Sequence, residues 1–211
     1  MPLELYVFPP SPRSFKVLAA ATYLELDFQK HMVDFGRGEQ RTPEYRAINP
    51  NGKAPVLKDG QFVLFESNAI LQHLASMRPE KALMPADPER RAKVVQWQFW
   101  DLGHWERAWV PLLFERFVKP FFGMGEEDPA EIQRGLKELA IVGRILDDCL
   151  AGNRFVAGPQ VTVADFSLGA VVSMAGPIRV RLDDYPNILR WHDELTKLSG
   201  WRESLALPSA A

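Results

Sequence analysis

The chain has 211 residues, 46% of them hydrophobic, and a formal net charge of −2, enough to bury a sizeable core as one large domain or two small ones. Mixed charges without a basic stripe, and no apolar run near the roughly 20 residues of a spanning helix, exclude nucleic acid and membrane as expected partners. The start lacks a basic leader with a long apolar region, and the single cysteine, Cys149, excludes an internal disulfide or a multi-cysteine metal site; a cytoplasmic protein is expected.

Leu3 to Phe8 mixes apolar and β-favouring residues and runs into Pro9-Pro10, which predicts a short strand entering a loop. Phe15, Leu18, Ala19, Thr22, Tyr23 and Leu26 recur at helical spacing, with Ser11 or Ser14 as cap. Phe28 to Val33 predicts a second strand, and Pro43 to Ile48 one or two helical turns stopped by Asn49-Pro50-Asn51-Gly52. Pro55 to Lys58 and Phe62 to Phe65 flank Asp59-Gly60, the dipeptide suited to a tight hairpin. Glu66-Ser67-Asn68 then precedes Ala69, Ile70, His73, Leu74 and Met77, a third helix expected to start from a side-chain cap. Parallel strands joined by a helix, then a hairpin and a closing helix, form a compact α/β domain over residues 1–78.

Residues 79–88 are proline-rich and aperiodic, a linker. From 89 to 211 the pattern is all-helical. Glu89 to Phe122 is long and amphipathic, with Trp97, Trp100, Trp105 and Trp109 along it and Pro111 placed to bend or split it. Pro129 to Leu150, Val163 to Ile178 and Ile188 to Leu198 add further helices, and Phe155 to Ala157 is the one strand candidate. Thr162 and Asp165 read as a structural helix-opening pair.

The segment Asn49-Pro50-Asn51-Gly52-Lys53-Ala54-Pro55-Val56-Leu57, followed after the hairpin by Phe65-Glu66-Ser67-Asn68-Ala69-Ile70, resembles the glutathione-binding half of the cytosolic glutathione transferases. The resemblance extends to the order of elements over the whole chain. It implies a thioredoxin-like N-terminal domain followed by a helical-bundle C-terminal domain, packed as a homodimer. It further implies that Pro55 is cis and sets Val56 at an open strand edge, where the cysteinyl backbone of glutathione pairs by main-chain bonds. Ser67, opening a helix, suits the γ-glutamyl carboxylate, and Glu66 its ammonium. Lys53, Gln40 and Arg41 match the positions for the glycyl carboxylate, Lys53 first among them. Taken singly, Ser67 is an ordinary cap and Lys53 or Arg41 a solvated charge; the combination carries the signal.

Chemistry in such a protein needs the glutathione sulfur as thiolate, which a hydroxyl donor favours. Ser11 and Ser14 lie where the first strand hands over to the first helix. Ser11 falls where serine-type branches resembling the theta and phi classes carry their hydroxyl, and Ser14 is the alternative; Tyr6 is expected to pack. Pro10, Phe35, His104, Trp105 and Trp109 are candidates to line a pocket for a small hydrophobic electrophile, against the plain expectation that such aromatics form core. Cys149 is expected to be an inert core thiol. The expected function is a glutathione S-transferase, with conjugation, peroxidase or dehalogenase chemistry, glutathione as co-substrate, and no metal or permanently bound cofactor. The alternatives are a non-catalytic glutathione-binding or carrier protein and a zeta-like isomerase, whose serine-serine-cysteine signature is missing.

Overall fold

The computed structural model describes residues 2–204; residues 205–211, counted above with the helical domain, lie outside the described residues. It divides into two compact units, one made from the described parts of Met1–Met84 and Thr196–Ala211, the other Pro85–Leu195.

The first unit runs β1 (Leu3–Val7), α1 (Pro12–Tyr23), β2 (Phe28–Met32), a 3-10 turn (Glu39–Arg41), α2 (Pro43–Ile48), β3 (Val56–Asp59), β4 (Phe62–Phe65) and α3 (Ser67–Met77). Its sheet has the order β2-β1-β3-β4, with β1 parallel to β2 and antiparallel to β3, and β3 antiparallel to β4. This is the thioredoxin-like arrangement. Alternation on β1 buries Leu3, Leu5 and Val7, as a strand with one buried face requires. Ile70, Leu71 and Leu74 of α3 and Val17 and Leu18 of α1 complete that core, and α1 packs against α3. On the other sheet face Tyr45 of α2 closes over Val33 and Val56. A short last helix, α10 (Trp201–Ser204), packs on α1, with the Trp201 ring edge-on to Phe15 at 5.0 Å.

The second unit is helical: α4 (Pro88–Trp100), α5 (Glu106–Leu113), α6 (Lys119–Phe122), α7 (Pro129–Ala151), α8 (Val163–Val172) and α9 (Pro186–Thr196). Pro111 neither ends nor splits the first run. Instead, α4, α5 and α6 are joined by two π-helical turns, Asp101–Trp105 and Phe114–Val118. The Glu106 N–H donates to the Asp101 carbonyl across the first of them, the five-residue closure of a π turn. The segment 155–157 forms only a single bridge, Phe155 with Gly158. Trp105, Trp109, Phe166 and Trp191 are fully buried. Asp165 ties this core together by accepting from the Val156 and Thr162 amides, the Thr162 hydroxyl and the Trp191 indole. No helix among the described residues is long and apolar enough to cross a membrane.

His192 on α9 lies 2.9 Å from Ser173 Oγ, and burial pulls its pKa down to about 4, against a smaller opposing pull from Asp193. The folded state therefore holds the imidazole neutral, whereas the unfolded chain takes up a proton near its ordinary pKa. Stability is fully present above about pH 6.5 and is lost as pH falls from there toward 4, by about 3 kcal/mol from this group. Urea unfolding of the parent and His192→Gln proteins across that window checks it: the substitution should flatten the acid limb.

Candidate active site

The strand polarities bring the sequence candidates to one end of one sheet. β1 and β2 end there at Val7 and Met32, while β3 begins there at Val56 and β4 ends there at Phe65. The loop to Ser11, the turn carrying Gln40 and Arg41, the segment Lys53-Ala54-Pro55, and Glu66-Ser67 all issue from that end.

Ser11 and Ser14 take different roles. Ser11 is the N-cap residue of α1, partly exposed, and its hydroxyl makes no cap hydrogen bond. Pro12 at the first helical position has no N–H to satisfy. Ser14 is fully buried, and its Oγ accepts from the Phe8 amide at 3.0 Å, which holds the loop in shape. Tyr6 donates to Glu4 at 3.0 Å and stacks on His31, and burial foremost pushes its hydroxyl up. It is a packing residue.

The Ala54–Pro55 peptide bond is cis. Val56 does not lie at an open edge: it is buried and pairs with Tyr6 on one side and Phe65 on the other. A strand residue directs its N–H and C=O to one side, and at Val56 both sides are filled. Pro55 has no N–H. The first residue upstream with both groups is Ala54, partly exposed and without a backbone hydrogen bond among the described residues. The unpaired backbone therefore lies two positions upstream of Val56. The Lys53 carbonyl is pinned by the Tyr45 hydroxyl at 2.9 Å and Asn49 Nδ2 at 2.6 Å, and its side chain is exposed.

Glu66 is exposed, with φ +70° and ψ 109°, and it precedes α3 without supplying a side-chain cap. A positive φ at a glutamate stores strain of about 1–3 kcal/mol, which is found where the chain is held for function. Ser67 begins the helix and is 5% exposed, with the unpaired N–H groups of a helix start around it. Gln40 is buried, and its Oε1 has no hydrogen-bond partner among the described residues, while Arg41 is exposed. Gly52 is required beneath this turn: its φ is +59°, and a Cβ there would lie 2.8 Å from the Gln40 carbonyl oxygen. Gly52→Ala should cost about 1–3 kcal/mol of unfolding free energy, which thermal or urea unfolding reads directly.

The aromatic candidates separate. Trp105 and Trp109 are fully buried, and the Trp105 indole donates to the Leu168 carbonyl at 3.1 Å. They form core rather than a pocket lining, because a side chain with no accessible surface cannot meet a ligand. Pro10 is likewise buried, Phe35 is half-buried against Phe8 with ring centroids 4.7 Å apart, and His104 is exposed. Cys149 is half-buried rather than in the core, and burial pushes its thiol up, away from a reactive thiolate.

Comparison with known proteins decides the family. Residues 1–76 match the glutathione S-transferase N-terminal domain, and residues 129–194 the glutathione S-transferase C-terminal domain. Glutathione S-transferase D7 of Drosophila melanogaster is 32% identical over 206 residues, which is 96% of this chain and 88% of the relative. The chain belongs to the glutathione S-transferase family. Glutathione S-transferase 3 of Zea mays matches this glutathione S-transferase at 31% identity over 210 residues, 97% of this chain and 94% of the relative. Glutathione S-transferase I from maize, solved in complex with an atrazine glutathione conjugate, superposes with a TM-score of 0.90 at 28% identity over 100% of both chains.

Proposed function

We propose that this chain binds glutathione at the described end of its sheet and directs the glutathione thiolate onto small apolar electrophiles, in the manner of a serine-type, theta- or phi-like transferase. The observation that carries the reading is the partition of the two serines: Ser14 is fully buried with its Oγ accepting from the Phe8 amide, whereas Ser11 is partly exposed at the start of α1 and its hydroxyl makes no cap hydrogen bond. A hydroxyl that donates to sulfur at a helix N-terminus favours the anion twice, by hydrogen bonding and by the helix dipole. The Ala54 N–H and C=O pair with the cysteinyl backbone in place of Val56. The start of α3 at Ser67 takes the γ-glutamyl carboxylate, Glu66 takes the ammonium, and Lys53, Gln40 and Arg41 serve the glycyl carboxylate, Gln40 through its amide N–H groups. In the division of labour that follows, residues 1–78 hold the peptide, 79–88 link, and the helices of the second unit supply the surface for the electrophile. The family's homodimer and a cytoplasmic location complete the reading.

The reaction balances without a further reactant. The thiolate sulfur forms a bond to an electrophilic carbon, the halide or other leaving group departs with its electron pair, and the thiol proton passes to solvent. Steady-state turnover of glutathione with an activated aryl halide tests the reading. Thioether formation that saturates in glutathione supports it. Saturable glutathione binding with no turnover of aryl halides, alkyl halides or organic peroxides points to a carrier instead.

A further inference from the structure

Lys16 of α1 is 1% exposed. Lysine is among the residues least often fully buried, because its head group loses hydration that only a well-placed acceptor restores. Its Nζ donates to Asn68 Oδ1 at 2.7 Å, a buried bond between groups 52 positions apart in sequence. Asn68, itself 9% exposed, directly follows Glu66 and Ser67 in the first turn of α3. Lys16 stands in the same helix that Ser11 opens. The bond therefore joins the helix that presents the proposed thiolate donor to the helix start that presents the peptide-carboxylate site. Apolar packing of Val17, Leu18, Ile70 and Leu74 also holds the two helices together, but burial is non-directional and leaves their relative slide weakly fixed. A short charge-assisted hydrogen bond is directional.

We propose that Lys16 and Asn68 are positioning residues for the transferase site, clamping the first turn of α3 to α1 so that Ser67 and Ser11 engage the γ-glutamyl carboxylate and the cysteinyl sulfur of the same peptide at once. The inference rests on the glutathione reading above. Neither residue touches substrate in it; both act through Ser11 and Ser67. Displacement of a reacting group on the order of 1 Å costs up to about a hundredfold in rate, so a clamp of this kind is visible in function before it is visible in the fold.

The test uses the full chain with Lys16→Met, which keeps the apolar stem, Asn68→Ala, which keeps the lysine, and the double substitution. Three quantities are read: the glutathione Kd, the pKa of the bound thiol by ultraviolet titration, and the thermal midpoint, with the first two taken well below that midpoint. Each single variant should weaken glutathione binding about tenfold and raise the bound thiol pKa by at least about half a pH unit. The double variant should be no worse than the more affected single, as expected when both substitutions break one bond. Should Lys16→Met fail to fold, Asn68→Ala alone decides. Variants that shift the thermal midpoint but leave Kd and thiol pKa at parental values overturn the inference, since a merely structural bond behaves that way. A parent protein with no depressed thiol pKa removes the glutathione reading itself and this inference with it, an outcome distinct from a depressed parental pKa that neither substitution moves.

Discussion

Ser11→Ala is expected to retain glutathione binding within a few-fold while the bound thiol pKa rises by about two pH units, the equivalent of roughly 3 kcal/mol of thiolate stabilisation. Near pH 6.5 the thiolate fraction then falls by about 50- to 75-fold, and kcat/KM for an aryl halide falls with it. The rate should recover at alkaline pH, where the thiol ionises without help. Binding is expected to survive because Ala54, Glu66 and Ser67, which hold the peptide in the proposed site, do not depend on the Ser11 side chain. Ser14→Ala gives the contrasting pattern. Its Oγ accepts from the Phe8 amide in a part-buried bond, so its removal takes away that acceptor and costs about 1 kcal/mol of stability, with little change in the thiol pKa of the folded protein. A pH-rate profile for the two variants, beside their thermal midpoints, separates the roles.

The second large effect lies in the helical unit. The Asp165 carboxylate is 0% exposed and accepts four hydrogen bonds, from Val156 N at 2.9 Å, Thr162 N at 2.8 Å, Thr162 Oγ1 at 2.9 Å and Trp191 Nε1 at 2.9 Å. Burial pushes its pKa up to about 6 against the pull of those donors, which leaves it an anion at neutral pH. Each oxygen receives two donors, so an amide at this position would turn an NH2 group toward two of them. Asp165→Asn should therefore cost about 3–5 kcal/mol, the combined expense of leaving buried donors unsatisfied and removing a charge they were arranged around. For a chain of this length that lowers the thermal midpoint by on the order of 10 °C. Calorimetry reads it, and a loss below about 1 kcal/mol would show that the side chain is not the organising centre of α8 and α9.

The sequence was most legible where turn chemistry is local. Asp59-Gly60 placed the hairpin, Asn49-Pro50-Asn51-Gly52 ended α2, and Glu66-Ser67 marked the start of α3, because each depends only on residues within a few positions. The misplaced strand edge at Val56 has a long-range cause. The hairpin signalled β4 on one side, but β1, whose Tyr6 pairs with Val56, comes from the far end of the domain and leaves no trace near Pro55. Likewise, burial and not residue type separates Ser11 from Ser14. The expected side-chain cap at α3 is absent, since Glu66 adopts a positive φ instead.

The helical unit offered one signal that went unread. Trp100 and Trp105 are five residues apart, an interval that rotates a side chain off the apolar stripe of an ordinary α-helix. The π turn at Asp101–Trp105 absorbs the extra residue and leaves the two rings stacked at 5.9 Å. Trp105 and Trp109 consequently face inward and are lost to any pocket, as the plain expectation of core aromatics had it.

The central claim is that this fold activates the thiol of glutathione and does not merely hold the peptide. Ultraviolet titration of the thiolate absorbance of glutathione bound to the parent protein tests it most directly. The account predicts a bound thiol pKa near about 6.5–7, some two pH units below free glutathione. Tight binding with the thiol titrating at its solution value would contradict it.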